Sequence, residues 1–114
     1  MEERLVIGLV EKVLLENGKE YYAKVDTGAD SSSIDKNLVD KLGEKEIISH
    51  KMIRSALGRH RRAAILLEIE FKGKKFLEKF TISDRSNLKF KILVGKDILQ
   101  KEKFLIDPCI ERKI

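Results

Sequence analysis

Apolar and polar residues alternate along several short stretches of this chain, which is the two-residue period of β-strands with one buried face. Alternation over residues 4–15 and 20–25 predicts strands, and the Asn17-Gly18 pair between them is a strong hairpin signal. Residues 46–71 predict a longer hairpin, and residues 75–82 a further strand in which phenylalanine and isoleucine alternate with polar residues. Residues 4–25 and 46–82 are therefore expected to be mostly β-structure.

Helical spacing is confined to two short segments, 36–42 and 97–102. Asp35 is positioned to cap the first of these helices. The remaining predicted strands are short: Ser31 to Ile34, 88–94, 104–107 and, after Pro108, 109–113. Many short strands with few helical residues predict an all-β fold, a closed and largely antiparallel β-barrel with one or two short helices. We expect residues 1–114 to form a single domain.

The composition agrees with a folded domain and narrows the range of partners. Of the 114 residues, 42% are hydrophobic and 38% are charged, which favours a packed core under a well-solvated surface. The formal net charge of +5 favours acidic partners in a general way but is too small to predict nucleic-acid binding. Aromatic residues make up only 6% of the chain, which counts against a base-stacking surface. We therefore expect no nucleic-acid partner.

Neither membrane insertion nor an internal disulfide is expected. No apolar run approaches membrane-spanning length, and the charged start at residues 1–4 is unlike a signal peptide. The single cysteine, Cys109, excludes an internal disulfide. We expect a cytoplasmic protein without a membrane partner.

The strongest candidate chemistry lies at the end of the predicted strand 20–25, where Asp26, Thr27 and Gly28 follow. A carboxylate fixed on a tight turn is placed for acid–base chemistry. Two carboxylates held about 3 Å apart share one proton, so one can activate a water while the other acts as an acid. Asp-Thr-Gly occurs once in the chain, so a second copy would have to come from a second chain. The alternative is an ordinary turn in which Thr27 and Asp30 cap backbone groups.

A second landmark lies near the C-terminus, where residues 93–99 run from a predicted buried strand through Gly95 into a short helix. Together, Val25-Asp26-Thr27-Gly28-Ala29-Asp30 and Leu93-Val94-Gly95-Lys96-Asp97-Ile98-Leu99 resemble the two signature segments of the retropepsin-like (retroviral-type) aspartic proteases. Lys51-Met52-Ile53 followed by Leu57-Gly58 resembles the flap of that family. Ile7-Gly8, Ala23 to Ala29, Leu93-Val94-Gly95 and Phe104-Leu105-Ile106-Asp107-Pro108 further resemble the microbial branch labelled ATP-dependent zinc protease.

The resemblance implies a homodimer with one Asp26 from each subunit at the centre of the site. It implies that Thr27 bonds across the two-fold axis and that Gly28 lets the substrate backbone approach closely. Further implied roles are a substrate-side floor at Ala29 and Asp30, support and substrate contact at Val94, support at Gly95, and flap contacts at Ala56, Leu57 and Gly58. Lys96 is expected to pair with Asp30 beneath the site.

The predicted flap is rich in positive charge. Where the retroviral enzymes have several glycines, this chain has Arg54, Arg59, Arg61 and Arg62. A run of charge is typical of a solvated loop. The functional alternative is that the flap closes over an acidic polypeptide substrate, with Arg54 and Arg59 contacting it.

Ala29 leads to an expectation about pH. Pepsin-like enzymes commonly have serine or threonine after the glycine, and that hydroxyl can donate to the aspartate and favour its charged form. Alanine lacks the donor. We therefore expect the carboxyl pair to titrate higher than that of pepsin, and activity to peak at weakly acidic pH.

No metal or nucleotide cofactor is expected, despite the label of the microbial branch. His50, His60 and Cys109 are the only soft metal ligands, and neither a paired-cysteine nor a His-Glu-x-x-His spacing is present. The chain also has no glycine-rich nucleotide-binding loop.

Three functional hypotheses follow from these residues. The first is a homodimeric aspartic endopeptidase that hydrolyses peptide bonds by activating a water between two Asp26 carboxyls. The alternative is a non-catalytic peptide-binding or dimerisation module with the same fold. A basic β-barrel that binds nucleic acid is a third hypothesis, and the scarcity of aromatic residues counts against it.

Overall fold

The computed structural model describes residues 3–56 and 58–111, which form nine strands and two short helices. In chain order these are β1 (Val6–Ile7), β2 (Val10–Leu14), β3 (Glu20–Val25), β4 (Ser33–Asp35), α1 (Lys36–Lys41), β5 (Ile47–Ser55), β6 (Gly58–Phe71), β7 (Lys74–Ser83), β8 (Ile92–Val94), α2 (Lys96–Lys101) and β9 (Leu105–Ile106). A mostly β-structure with two short helices confirms the predicted fold class.

Seven of these strands form one sheet in the order β2-β3-β8-β4-β7-β6-β5. Strand β2 also pairs with β6, between Leu14 and Glu70, so the sheet curves back on itself. Most pairs are antiparallel, whereas β3–β8 and β4–β7 are parallel. The parallel pairing of β3 with β8 brings the turn after Val25 next to the residues that follow Val94.

Strands β1 and β9 form a separate parallel pair within the chain, with Val6 opposite Leu105. Neither α1 nor α2 exceeds six residues. Among the residues described, no helix has the length and apolar character needed to cross a membrane.

The core is built from the inward-facing positions of the long strands. On β6, Ile65, Leu67 and Ile69 are buried and alternate with more exposed residues, as the two-residue period predicts. The rings of Phe71, Phe76 and Phe104 meet edge to face, with centroids 5.3–6.2 Å apart. Each fully buried apolar side chain contributes about 1.5–3 kcal/mol.

The predicted strand over 88–94 is shorter in the structure, where β8 covers only its last three residues. Lys91 O accepts from Asp35 N of β4, but several carbonyls before it are bonded to side chains rather than to a neighbouring strand. Lys91 Nζ donates to the carbonyl oxygens of Arg85, Ser86 and Leu88, and Arg85 Nε donates to Phe90 O. These bonds hold the segment before β8 as an irregular loop.

Of the two predicted terminal strands, the described residues contain only β9. After Pro108 the backbone turns: Cys109 N donates to the Asp107 carboxylate and Ile110 N to the Asp107 carbonyl. Residues 112–113 of the second predicted strand lie outside the described residues.

Asp35 occupies the N-cap position of α1 as predicted, but its carboxylate does not cap the helix. It accepts a hydrogen bond of 2.7 Å from Arg85 N instead. This bond ties the irregular loop before β8 to the end of β4.

Candidate active site

Asp26 lies directly after β3, on a turn that is fixed at both its backbone and its carboxylate. Its N–H donates to Val94 O over 2.9 Å, and its Oδ1 accepts a 2.9 Å hydrogen bond from Gly28 N. Ala29 N donates back to Asp26 O over 3.3 Å. Asp26 is half-buried and Thr27 is exposed. The turn therefore holds the carboxylate in place without covering it.

Gly95 lies where the two loops at the ends of β3 and β8 cross. A Cβ at this position would be 2.7 Å from Ala29 O and 2.9 Å from Ser31 C, closer than real Cβ contacts. Lys96 N donates to the same Ala29 carbonyl over 2.8 Å. The close approach of the two backbones is therefore possible only with glycine here.

The ion pair predicted between Lys96 and Asp30 is present, with Nζ and Oδ1 2.8 Å apart. The hydrogen bond and the charge of Lys96 lower the pKa of Asp30 below its usual value. The Asp30 side chain is 83% exposed, so the pair is a solvent-screened contact at the rim of the turn.

A cavity of about 540 Å³ lies between the Asp26 turn and the β5–β6 hairpin. Its lining residues come from both loops and both hairpin arms: Gly28, Ala29, Asp30, Ser31, Ser33, Lys51, Met52, Ile53, Arg54, Arg59, Arg62, Arg85 and Leu93. Five residues predicted for the site, Gly28, Ala29, Asp30, Arg54 and Arg59, are thus brought together around one space.

The other predicted substrate-contacting residues lie elsewhere. Val94 is fully buried, so its side chain belongs to the core and Leu93 lines the cavity in its place. Ala56 and Gly58 are exposed near the tip of the hairpin and are not part of the cavity lining. Leu57 lies outside the described residues.

Positive charge dominates the cavity. Five basic side chains line it, namely Lys51, Arg54, Arg59, Arg62 and Arg85, against one acidic side chain, Asp30, which already pairs with Lys96. Arg62 is half-buried, and this burial lowers its pKa below the usual value. Partial burial strengthens the interaction of such a cation with an incoming anion.

Arg85 is a site residue that the sequence analysis missed. Its Nε donates to Phe90 O over 2.9 Å, and its Nη1 contacts Ser33 Oγ at 3.4 Å. Burial and then the nearby charge of Arg62 lower the pKa of Arg85, while Asp35 and Asp26 raise it. The guanidinium thus lies within electrostatic reach of Asp26. No local pattern in the polar residues 83–87 indicates this position.

A second cavity, of about 620 Å³, lies beside the end of β3. Arg85 and Leu93 line both cavities, and the second one is otherwise bounded by Leu9, Val10, Lys24, Val25, Leu88, Lys89 and Phe90. Three of its lining residues, Lys24, Arg85 and Lys89, are basic.

The three soft ligands do not form a metal site in the described part of the chain. No group of three or more His, Cys, Asp or Glu side chains there is arranged to hold a metal ion. His50 pairs with Ala63 and His60 with Ile53 in the β5–β6 ladder, and Cys109 is exposed in the C-terminal segment.

An aspartate on a tight turn after one strand, a glycine crossing behind it and a hairpin over the intervening cavity define the retropepsin-like aspartic protease fold. The chain belongs to the RimB-like family, described as retropepsin-like aspartic endopeptidase RimB, whose sequence profile matches residues 35–113. The matched region begins after the Asp26 turn. No curated protein sequence matches the chain.

Solved structures share the fold over nearly the whole chain. A Legionella pneumophila protein of unknown function, Lpg0085, is 21% identical, with a TM-score of 0.69 and coverage of 95% of this chain and 96% of that one. The EIAV protease complexed with the inhibitor HBY-793 is 22% identical, with a TM-score of 0.67 and coverage of 91% and 92%. The retroviral protease-like domain of Ddi1 from Leishmania major is 17% identical, with a TM-score of 0.64 and coverage of 90% and 80%.

Proposed function

We propose that this chain is an aspartic endopeptidase whose active site is completed by a second copy. The observation that carries the proposal is the half-buried Asp26, held by Val94 O and Gly28 N beside a cavity large enough for substrate side chains. Membership of a retropepsin-like endopeptidase family supports it. The sequence contains one Asp-Thr-Gly, so the second carboxylate comes from the partner subunit.

The proposed reaction is hydrolysis without a covalent intermediate. One Asp26 takes a proton from a water as that water attacks the substrate carbonyl carbon. The Asp26 of the other subunit, initially protonated, hydrogen-bonds to the developing oxyanion and then protonates the leaving amine. Thr27, exposed beside the carboxylate, bonds to the facing loop across the two-fold axis and keeps the two carboxyls in register.

Two copies meet, in this proposal, at the Asp26 turns and at the exposed apolar residues near the chain ends. Val6 and Leu105 are neighbours in the β1–β9 pair and are 38% and 43% exposed. Leu9, 48% exposed, accepts the backbone bond from Val25 N directly before the catalytic turn. Because β1 and β9 already pair within one chain, the copies pack these faces together rather than exchange the two strands.

The substrate class that fits the cavity is an acidic polypeptide. Five basic side chains and one already paired aspartate line the space beside Asp26. Arg62 and Arg85 have no carboxylate partner among the ion pairs of the described residues. A substrate carboxylate would supply that partner through charge-assisted hydrogen bonds. The proposal includes no nucleic acid or membrane partner, and a single exposed cysteine supports a cytoplasmic setting.

The test is a peptide-library digest across pH with wild type and Asp26→Asn. The substitution keeps the shape of the side chain but removes the proton-accepting carboxylate, so cleavage should fall by about 10²–10⁴-fold. Cleavage by the variant at the wild-type rate would exclude the aspartyl mechanism. Sedimentation at the assay concentration provides the second readout, since a strict monomer that still cleaves would exclude a shared site.

A non-catalytic peptide-binding module remains as a second candidate, because the family match begins at residue 35 and does not include Asp26. In that case, wild type and Asp26→Asn would bind acidic peptides equally, and neither would cleave them at any pH.

A further inference from the structure

A partly buried chain of hydrogen bonds links α2 to the loop that follows the Asp26 turn. Ser32, fully buried, donates from its Oγ to Asp97 Oδ1 over 2.7 Å and from its N–H to both Asp97 carboxylate oxygens over 3.1 Å. The same Ser32 Oγ accepts a 2.8 Å hydrogen bond from Gly95 N. The Asp97 carboxylate also accepts from Ile98 N over 2.8 Å.

This chain of hydrogen bonds, the Ser32–Asp97 relay, connects residues 26–32 with residues 94–97. The separation of these two loops sets the position of Asp26. Other contacts between these loops are two backbone bonds, from Asp26 N to Val94 O and from Lys96 N to Ala29 O, and the solvent-exposed Lys96–Asp30 ion pair. Ser32 contributes a side-chain link. The N–H and the hydroxyl of Thr81 both donate to the Ser32 carbonyl oxygen. Ser32 is therefore anchored on two sides, to α2 and to β7.

We propose that Ser32 and Asp97 are positioning residues that fix the Asp26 turn against Gly95. The inference rests on the proposed function, because it treats the location of Asp26 as the property that matters. Neither residue lines the cavity next to the turn, so neither contacts substrate there. Their effect reaches the reaction only through the backbone bonds at Gly95 and Asp26, and a displacement of about 1 Å at a reacting group can cost about 10²-fold in rate.

The experiment compares Ser32→Ala and Asp97→Asn with Ser32→Thr and with Ser49→Ala. The first two each break the relay: one removes the hydroxyl, and the other puts an amide donor where a carboxylate accepts from Ser32 N. Ser32→Thr retains the hydroxyl. Ser49→Ala is the matched control, because Ser49 Oγ is also buried but has no hydrogen-bond partner among the described residues.

The first readout is steady-state kinetics on a peptide that wild type cleaves. Ser32→Ala and Asp97→Asn should each lower kcat by about 10–10²-fold with little change in KM, and the double variant should lose no more than either alone, since both break one relay. Ser32→Thr should recover most of kcat. Unchanged kcat in Ser32→Ala, or multiplying losses in the double variant, would overturn the proposal.

The second readout is amide hydrogen exchange, which does not depend on hydrolysis. Ser32→Ala should speed exchange at the Gly95 and Asp26 amides at least about tenfold, while the β6 amides and the Ser49→Ala protein stay as in wild type. A uniform increase that includes β6 would show a general structural role and overturn the inference. If wild type cleaves nothing, the endopeptidase proposal fails, and the exchange at Gly95 and Asp26 still decides whether the relay holds the turn.

Discussion

The two sides of the cavity beside Asp26 differ in the groups that form them. Its floor, residues 26–32 and 94–97, is tied together across the sheet by buried hydrogen bonds that involve main-chain atoms and small residues. The β5–β6 hairpin is a long ladder whose rungs run from Ile47–Ile65 to Ser55–Gly58, and its cavity side presents arginine and lysine. One side fixes atoms in place, and the other supplies charge.

In the proposed function, this difference separates catalysis from recognition. Positions in the floor have little freedom, since a single added carbon at Gly95 meets a carbonyl at 2.7 Å. The side chains of Arg54 and Arg59 are exposed and flexible, so their guanidinium groups can adjust to different anions. We therefore expect changes in the floor to lower kcat, and changes in the hairpin to raise KM for charged substrates.

Gly95→Ala should have the largest effect. The new Cβ would push Ala29 O and the backbone of Ser31 away, which moves the Asp26 turn and should lower kcat by about 10²-fold or more. The control is Gly43→Ala, where φ is +91° but nothing lies within 4 Å, so it should cost roughly 1 kcal/mol of stability without loss of kcat. Thermal unfolding and kcat of both variants check this. Full activity in Gly95→Ala would remove the distinction between floor and hairpin.

Arg62→Gln should have a smaller and more selective effect. Loss of this half-buried cation removes a charge-assisted hydrogen bond worth about 1.5–3 kcal/mol, so kcat/KM for an acidic peptide should fall about tenfold or more through KM. Cleavage of a neutral peptide should be unaffected. Arg61→Gln is the matched control, because Arg61 is the adjacent residue of β6, exposed and outside the cavity lining.

Equal losses for the acidic and neutral peptides in Arg62→Gln would end the acidic-substrate hypothesis. Equal losses in Arg62→Gln and Arg61→Gln would instead indicate a long-range charge effect without a specific site, and raising the ionic strength would then abolish both.

Much of the fold could be predicted because its signals are local. The alternation along β6 and the Asn17-Gly18 turn specify strands and a hairpin within a few residues, and the structure has both. Gly18 has φ of +76°, which is the conformation that the turn requires. The contact between Lys96 and Asp30 was found through a resemblance to two known segments, since the residues are far apart in sequence.

The features that could not be predicted depend on which polar side chain bonds to which backbone or side-chain group elsewhere in the chain. Ser32 and Asp97 are 65 residues apart, and nothing near either one indicates the other. The loop before β8 looked like a strand because it is followed by Ile92 and Leu93, but Arg85 and Lys91 occupy its carbonyls. In both cases a polar side chain selects a backbone group that local periodicity does not specify.

A third region, around Glu78 and Lys101 at the C-terminal end of α2, affects the stability of the fold. Glu78 on β7 is 1% exposed, and one of its oxygens is 2.8 Å from Lys101 Nζ. Its other oxygen has no hydrogen-bond donor among the described residues. Burial and the adjacent Glu102 carboxyl raise the pKa of Glu78 to about 7, while Lys101 opposes that change. The helix that begins at the floor is thus attached at its other end by a carboxyl that keeps its proton up to about pH 7 in the folded state.

Stability should therefore fall as pH rises from about 4.5 to about 7. In this window folded Glu78 keeps its proton while the unfolded carboxyl, at its usual pKa of 4.5, has lost it, so the folded state binds more protons. This shift, which already includes the opposing effect of Lys101, corresponds to about 3 kcal/mol. Glu78→Gln keeps the neutral shape, so wild type should lose about 10 °C of Tm relative to it between pH 5 and pH 8. Glu68→Gln, an exposed carboxylate on β6, is the control and should melt in parallel with wild type. Parallel melting of Glu78→Gln as well would mean that the far end of α2 does not respond to pH, and that the floor depends only on its own hydrogen bonds.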